Sequence, residues 1–156
     1  MAKAPRFDGL TPEMPLGAAA RLILRRLFEA VLAEAPAVLH EHDARATHDM
    51  RVALRRLRSA LESFEKEFPH KALRINLHAL RRLGRRLGEV RDTDVHLADL
   101  RGALAGATAS EAAGVAHAIE TLIVRRRAAL AAFAIELSQF DRERFATFVS
   151  DDAGAA

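Results

Sequence analysis

The residues best equipped for chemistry form two rows of cations. In the stretch from His48 to Arg58, helical spacing of about 100° per residue brings His48, Arg51, Arg55, Arg58, Ser59 and Glu62 into one sector about 100° wide. Met50, Ala53, Leu54, Leu57, Leu61, Phe64 and Phe68 take the opposite sector, so one side packs and the other is cationic. Solvated helix faces ordinarily interleave both signs to gain i,i+4 pairs. This face places four nitrogenous side chains ahead of its first acid, Glu62. Their mutual repulsion would be relieved by an anion. In a second row, Arg74, His78, Arg81 and Arg85 share a sector about 60° wide, beside a stripe of Leu73, Leu77, Leu80, Leu83, Gly84 and Leu87.

The charge is local and mostly arginine. Between Arg45 and Arg91 there are 13 Lys or Arg against 5 Asp or Glu, a segment of +8 in a chain whose total is +3. Of the 24 basic residues, 21 are Arg, whose planar fork of donors suits bidentate phosphate or carboxylate contacts. A GC-rich coding sequence would give the same excess, so placement carries more weight than number.

Catalysis is disfavoured. There is no cysteine, no glycine-rich phosphate loop, and no carboxylate placed to make His48 or His78 a general base. Among arginines, both are expected to act as neutral hydrogen-bond donors to phosphate. The expectation is a binding protein with no cofactor, not an enzyme. The polar run His40-Glu41-His42-Asp43 offers ligand-type residues, but neighbours in a short linker rarely converge on one ion, and no metal is expected. Nucleic acid also fits poorly. The chain has no Tyr or Trp and its Phe residues fall at core spacing, so no platform for stacking bases exists. The cationic rows hold only Arg and His, without the Asn and Gln of groove readout. A ligand with phosphates and no bases fits better.

Helices must position these rows. Half of the residues are hydrophobic, mostly Ala and Leu, which favours an all-α domain over strands. A first helix is expected from Leu16 to Leu39, with Pro36 kinking or ending it. Arg21 and Arg25 edge its stripe. The second starts near Asp43 or Thr47, either a suitable N-cap, with His48 close to the N-terminus where the helix dipole favours an anion. It ends before Pro69. The third should run from Lys71 to Arg91, and Gly84 and Gly88 would let a neighbouring helix approach at a cost of about 1 kcal/mol each. Antiparallel neighbours pack about 8–10 Å apart. The rows Arg51 to Arg58 and Arg74 to Arg85 cover about 10 Å and about 16 Å of axis, so two facing rows would make a basic channel.

Arg91-Asp92-Thr93-Asp94 reads as a helix exit, Asp92 or Asp94 capping a short helix from Thr93 to Leu104 while holding nearby guanidinium groups in place. Gly102 to Gly114 reads as a loop, and a fourth long helix runs from Ser110 or Glu111 to Phe140. Arg126 interrupts its apolar stripe. It should be salt-bridged to the Asp92/Asp94 region, or else reach the channel, because an unpaired charge there would be costly. Arg125 and Arg127 point to solvent. A short helix from Asp141 to Phe148 follows. Residues 1–15 and 149–156 are expected as disordered tails around a domain spanning 16–148. With no apolar run of about 18 residues and no leader pattern, no membrane association and a cytoplasmic location are expected.

The motif His48-x-x-Arg51-Val52-x-x-Arg55-Arg56-x-Arg58, followed by Leu87-Gly88-x-Val90-Arg91-Asp92-x-Asp94-Val95, resembles the two signatures of the CHAD domain, the conserved-histidine α-helical domain. The resemblance covers roughly Leu16 to Phe148. It implies a helical bundle of four long antiparallel helices plus short ones that binds inorganic polyphosphate, with recruitment to polyphosphate granules. By that resemblance His48, Arg51, Arg55 and Arg58, with Arg56 at the rim, and Arg74, His78, Arg81 and Arg85 of the third helix would line the channel. Arg91, Asp92 and Asp94 would complete or brace it. A general polyanion or nucleic-acid binding module is the alternative. The family's larger form resembles two such bundles in tandem, and no second copy follows Phe148. The expectation is therefore a short single-bundle form, or a homodimer whose basic faces join into a longer channel.

Overall fold

Helix α1 (Leu16–Pro36) buries Ala20, Leu24, Leu27, Phe28, Val31 and Ala35, the three-and-four spacing of one helical stripe. The computed structural model describes residues 6–41 and 43–150, without the side chain of Glu41. Pro36 has no N–H to give and its ring crowds the preceding turn, so the α-helix stops there and the chain continues as a wider π-helical turn, Ala37–Glu41. His42, part of the polar run considered for a metal, lies outside the described residues, as do the outer parts of both expected tails, 1–5 and 151–156.

Asp43 caps α2 (Ala44–Ser63), its side chain accepting from the Arg45 N–H at 2.7 Å. Thr47, also considered for that role, is fully buried one turn in and donates to the Asp43 carbonyl. After a 3-10 turn, Glu65–Glu67, and Pro69, the chain enters α3 (His70–Ala105), a single helix of 36 residues. The expected break at Arg91 to Asp94 does not occur, and neither Asp92 nor Asp94 caps a helix. None of the four residues is Gly or Pro, so propensity alone does not end the helix. Thr93 donates to the Val90 carbonyl at 2.7 Å and Asp94 turns inward. The expected loop from Gly102 to Gly114 contracts to Gly106–Thr108, because Thr108 and Glu111 form a capping box that starts α4 (Ala109–Gln139). Asp141 caps α5 (Arg142–Phe148).

These elements make an all-α bundle, with no strand among the described residues. Each long helix packs on the next, α1 on α2, α2 on α3 and α3 on α4, as short connections between antiparallel helices require. Phe28, Phe140 and Phe145 meet with ring centroids 4.5–5.8 Å apart, tying α1 to the end of α4 and to α5. Phe7 packs against the core and Val149 is buried within it. At its centre, Leu54, Leu57 and Leu61 of α2 are buried with Leu73, Leu80, Leu83 and Leu87 of α3. Burying those stripes turns the cationic rows of both helices outward, side by side.

Candidate functional site

Between α2 and α3 lies a groove of about 870 Å³. His48, Arg51, Arg55 and Arg58 enter it from α2, and Arg81 and Arg85 from α3. Its remaining lining comes from Val52, Leu54, Leu80, Gly84 and Gly88, with Glu89 and Asp92 added by the next turns of α3. Leu54 and Leu80 are core residues, so the same packing that joins the two helices sets the separation of the cations.

Glu62 spans the two rows. It accepts from Nη2 of Arg81 at 3.0 Å and lies 3.9 Å from Nε of Arg58. His48, Arg51, Arg55 and Arg85 have no carboxylate within 4.0 Å among the described residues. Three guanidinium charges and the His48 imidazole therefore face one exposed concavity without a carboxylate partner among the described residues.

Of the two glycines expected to let a neighbour approach, Gly88 alone does so. A Cβ on Gly84 would have nothing within 4 Å, so its bareness widens the groove instead of admitting a neighbour. A Cβ on Gly88 would meet only Nη1 of Arg51, at 3.1 Å.

Four of the residues assigned to the channel fall outside this lining. Arg74 and His78 share the outward face of α3 but lie N-terminal to Arg81, whose tie to Glu62 bounds the groove. Arg56 and Arg91 are half-buried and do not line it. The two acids separate as well. Asp92 is exposed at the groove, whereas Asp94, its side chain 2% exposed, accepts from Nε of Arg126 at 2.5 Å. Arg126 thus takes the salt-bridge role and joins α3 to α4, as Arg82 does with Glu136 at 2.9 Å. Arg125 is exposed and lines a smaller groove between α3 and α4, with Thr93, His96 and the alanines 128, 129 and 132.

Two acids of consequence escaped the sequence reading. Glu89 lies on the same helical face as Arg85 and Asp92, a placement the angular spacing already contains. Asp49 is buried beside the apolar stripe of α2, and its Oδ1 has no hydrogen-bond partner among the described residues. Burial, then the charges of Asp49 and Asp43, raise the Glu34 carboxyl above its ordinary range, with Arg45 opposing.

Among the described residues no group of three or more His, Asp or Glu could hold a metal ion, and no helix is long and apolar enough to cross a membrane. The arrangement offers charge-assisted hydrogen bonds to an extended anion: planar guanidinium donors on two helices, spaced by single helical turns, above an apolar floor. A family model described as CHAD domain matches residues 22–151. No curated protein and no solved structure matches the chain.

Proposed function

The chain belongs to the CHAD domain family, and from that premise we propose that it binds inorganic polyphosphate in the α2/α3 groove without catalysing a reaction. The observation that carries this reading is the set of three arginines, Arg51, Arg55 and Arg85, that share one groove with the His48 imidazole and have no carboxylate partner among the described residues. Guanidinium groups lose little hydration on meeting phosphate and bind it bidentately. A polyphosphate chain brings an oxygen to each in turn and removes the repulsion among them. No Phe, Tyr or Trp lines the groove, so a nucleic acid would find its phosphates matched and little platform for its bases. Through this contact the protein would be recruited to polyphosphate granules.

A competition titration tests the reading. At about 150 mM salt, where the Debye length is near 8 Å, labelled long-chain polyphosphate is displaced by unlabelled polyphosphate, by RNA and by duplex DNA at matched phosphate concentration. Displacement by polyphosphate well ahead of both nucleic acids is the expected result. Equal competition by nucleic acid would make the groove a general polyanion site.

A further inference from the structure

Helix α4 is partnered along one side only. Its first two-thirds bury nothing fully: Leu130, Phe133 and Leu137 are its only buried residues among those described. Its outer side carries Thr121, Val124, Ala128, Ala131, Ile135 and Ser138, all exposed, Val124 at 65% and Ile135 at 59%. Steps of three and four residues put these six on one ridge, the seam spacing that packs one helix against another. The ridge is free of charge. Both of its hydroxyls are bound within their own helix, Thr121 to the His117 carbonyl and Ser138 to the Ile135 carbonyl, which leaves mostly carbon to face outward.

The order of residues along the ridge identifies its occupant. Around a point midway between Ala129 and Leu130, Ala128 mirrors Ala131, Val124 mirrors Ile135, and Thr121 mirrors Ser138. Each pair matches in size and polarity. A two-fold contact requires that where residue i meets j, j also meets i, and an antiparallel pair of identical ridges centred on that point meets the condition at every step. The small alanines at its centre permit close approach, and the β-branched side chains on either side clasp the ends. The flanks agree. Arg125 and Arg127 border the N-terminal half, and Ala132 and Ala134 border the C-terminal half. Antiparallel pairing sets each arginine beside an alanine of the second copy, whereas parallel pairing would oppose like charges. Hollows on both sides of the ridge, about 400 Å³ against α3 and about 380 Å³ against Leu39 and His40, leave room for the other copy's flanking side chains.

We propose that this chain forms an antiparallel two-fold dimer through the outer face of α4, Val124 of each copy packing on Ile135 of the other. This assigns pairing to a different surface from the expected union of basic faces, which would bring two cationic grooves together. No residue lining the α2/α3 groove lies on α4, so the dimer keeps both grooves open and presents two of them to one polyanion. A two-helix seam of this length lies toward the lower end of specific interface sizes, so association belongs to the micromolar range.

Sedimentation of the full chain between about 1 and about 500 µM tests the proposal. The mass should move from 17.1 kDa toward twice that value. Val124→Glu and Ile135→Glu, both at exposed positions, should each weaken association at least about tenfold with unchanged helical circular dichroism, while Val95→Glu on α3 should not. The chain has no cysteine, so a mixture of the Val124→Cys and Ile135→Cys variants should oxidise to a mixed disulfide dimer. Either alone should not, because its two copies of the position would lie about 16 Å apart along the axis. A monomeric mass at every concentration, a dimer indifferent to both Glu variants, or self-linking of the single Cys variants would overturn the proposal.

Discussion

Nη1 of Arg51 rests 3.1 Å from the position an alanine Cβ would take at Gly88, with no other atom outside the local turns of α3 within 4 Å of that point. The contact is with the far end of a flexible side chain, so Gly88→Ala should fold, gain helix propensity of about 1 kcal/mol, and melt about 2–4 °C higher. It should also displace the Arg51 guanidinium and lower polyphosphate affinity severalfold. Gly84→Ala should show the same rise in melting temperature and a smaller loss of affinity, since a methyl there touches nothing. Thermal melts and titrations of both variants check this. Equal losses would mean that groove volume matters and the position of Arg51 does not.

Periodicity made the groove legible before the structure: the angular positions of Arg51, Arg55, Arg58, Arg81 and Arg85 are one-dimensional facts, and burial of the leucines opposite them fixes which way they point. Where the groove stops is not such a fact. Arg74 and His78 have the right angle on α3 but lie past the Glu62–Arg81 tie, and only the axial register of two helices decides that. The continuity of α3 through Arg91 to Asp94 was hidden for a related reason. Asp and Thr suggest a cap when read locally, whereas here Asp94 is held inside by Arg126, 32 residues away. Gly102 and Gly114 misled similarly, since each lies within a helix with open space beside it.

Register therefore predicts which arginines matter. Arg55→Ala and Arg85→Ala each remove charge-assisted hydrogen bonds worth about 1.5–3 kcal/mol, an expected loss of roughly tenfold to hundredfold in affinity. Arg74→Ala, on the same face but beyond the groove, and Arg125→Ala, across Glu89 and Asp92 on α4, should change it little. Isothermal titration at fixed salt distinguishes these. Equal losses in all four would indicate diffuse attraction instead of a site.

Glu62 competes with the ligand. Its carboxylate engages Arg81 and lies near Arg58, and all three side chains are at least 40% exposed, so the pairs themselves contribute little to stability. Glu62→Gln should leave the melting temperature nearly unchanged and tighten polyphosphate binding. The salt dependence should also steepen, because two more cations become available to phosphate. Weaker binding would show that Glu62 orients these arginines for the ligand.

The Asp94–Arg126 pair is a stability element outside the groove. Arg126→Ala leaves the Asp94 carboxylate, its side chain 2% exposed, without its guanidinium partner. Breaking a buried pair in this way costs about 3–5 kcal/mol. Chemical denaturation should report that loss, and the double variant Asp94→Asn, Arg126→Met should recover part of it by removing the stranded charge. Polyphosphate affinity of the folded fraction should be unchanged in both.

Glu34 sets a pH dependence of opposite sign to that of a salt-bridged acid. Burial and then the charge of Asp49 raise its carboxyl above the ordinary 4.5, so the folded chain holds this proton more tightly than the unfolded chain. Between the unfolded and folded values the native state binds more protons, and stability falls as pH rises through that window. Glu34→Gln removes the ionisation. The variant should therefore melt higher than the parent at pH 7, and the difference should vanish below about pH 4.5, where both states of the parent are protonated. Asp49→Asn should shrink the gain by taking away the second cause of the shift. A Glu34→Gln variant less stable than the parent at pH 7 would mean that the ionised carboxylate is held by Arg45 strongly enough to outweigh both.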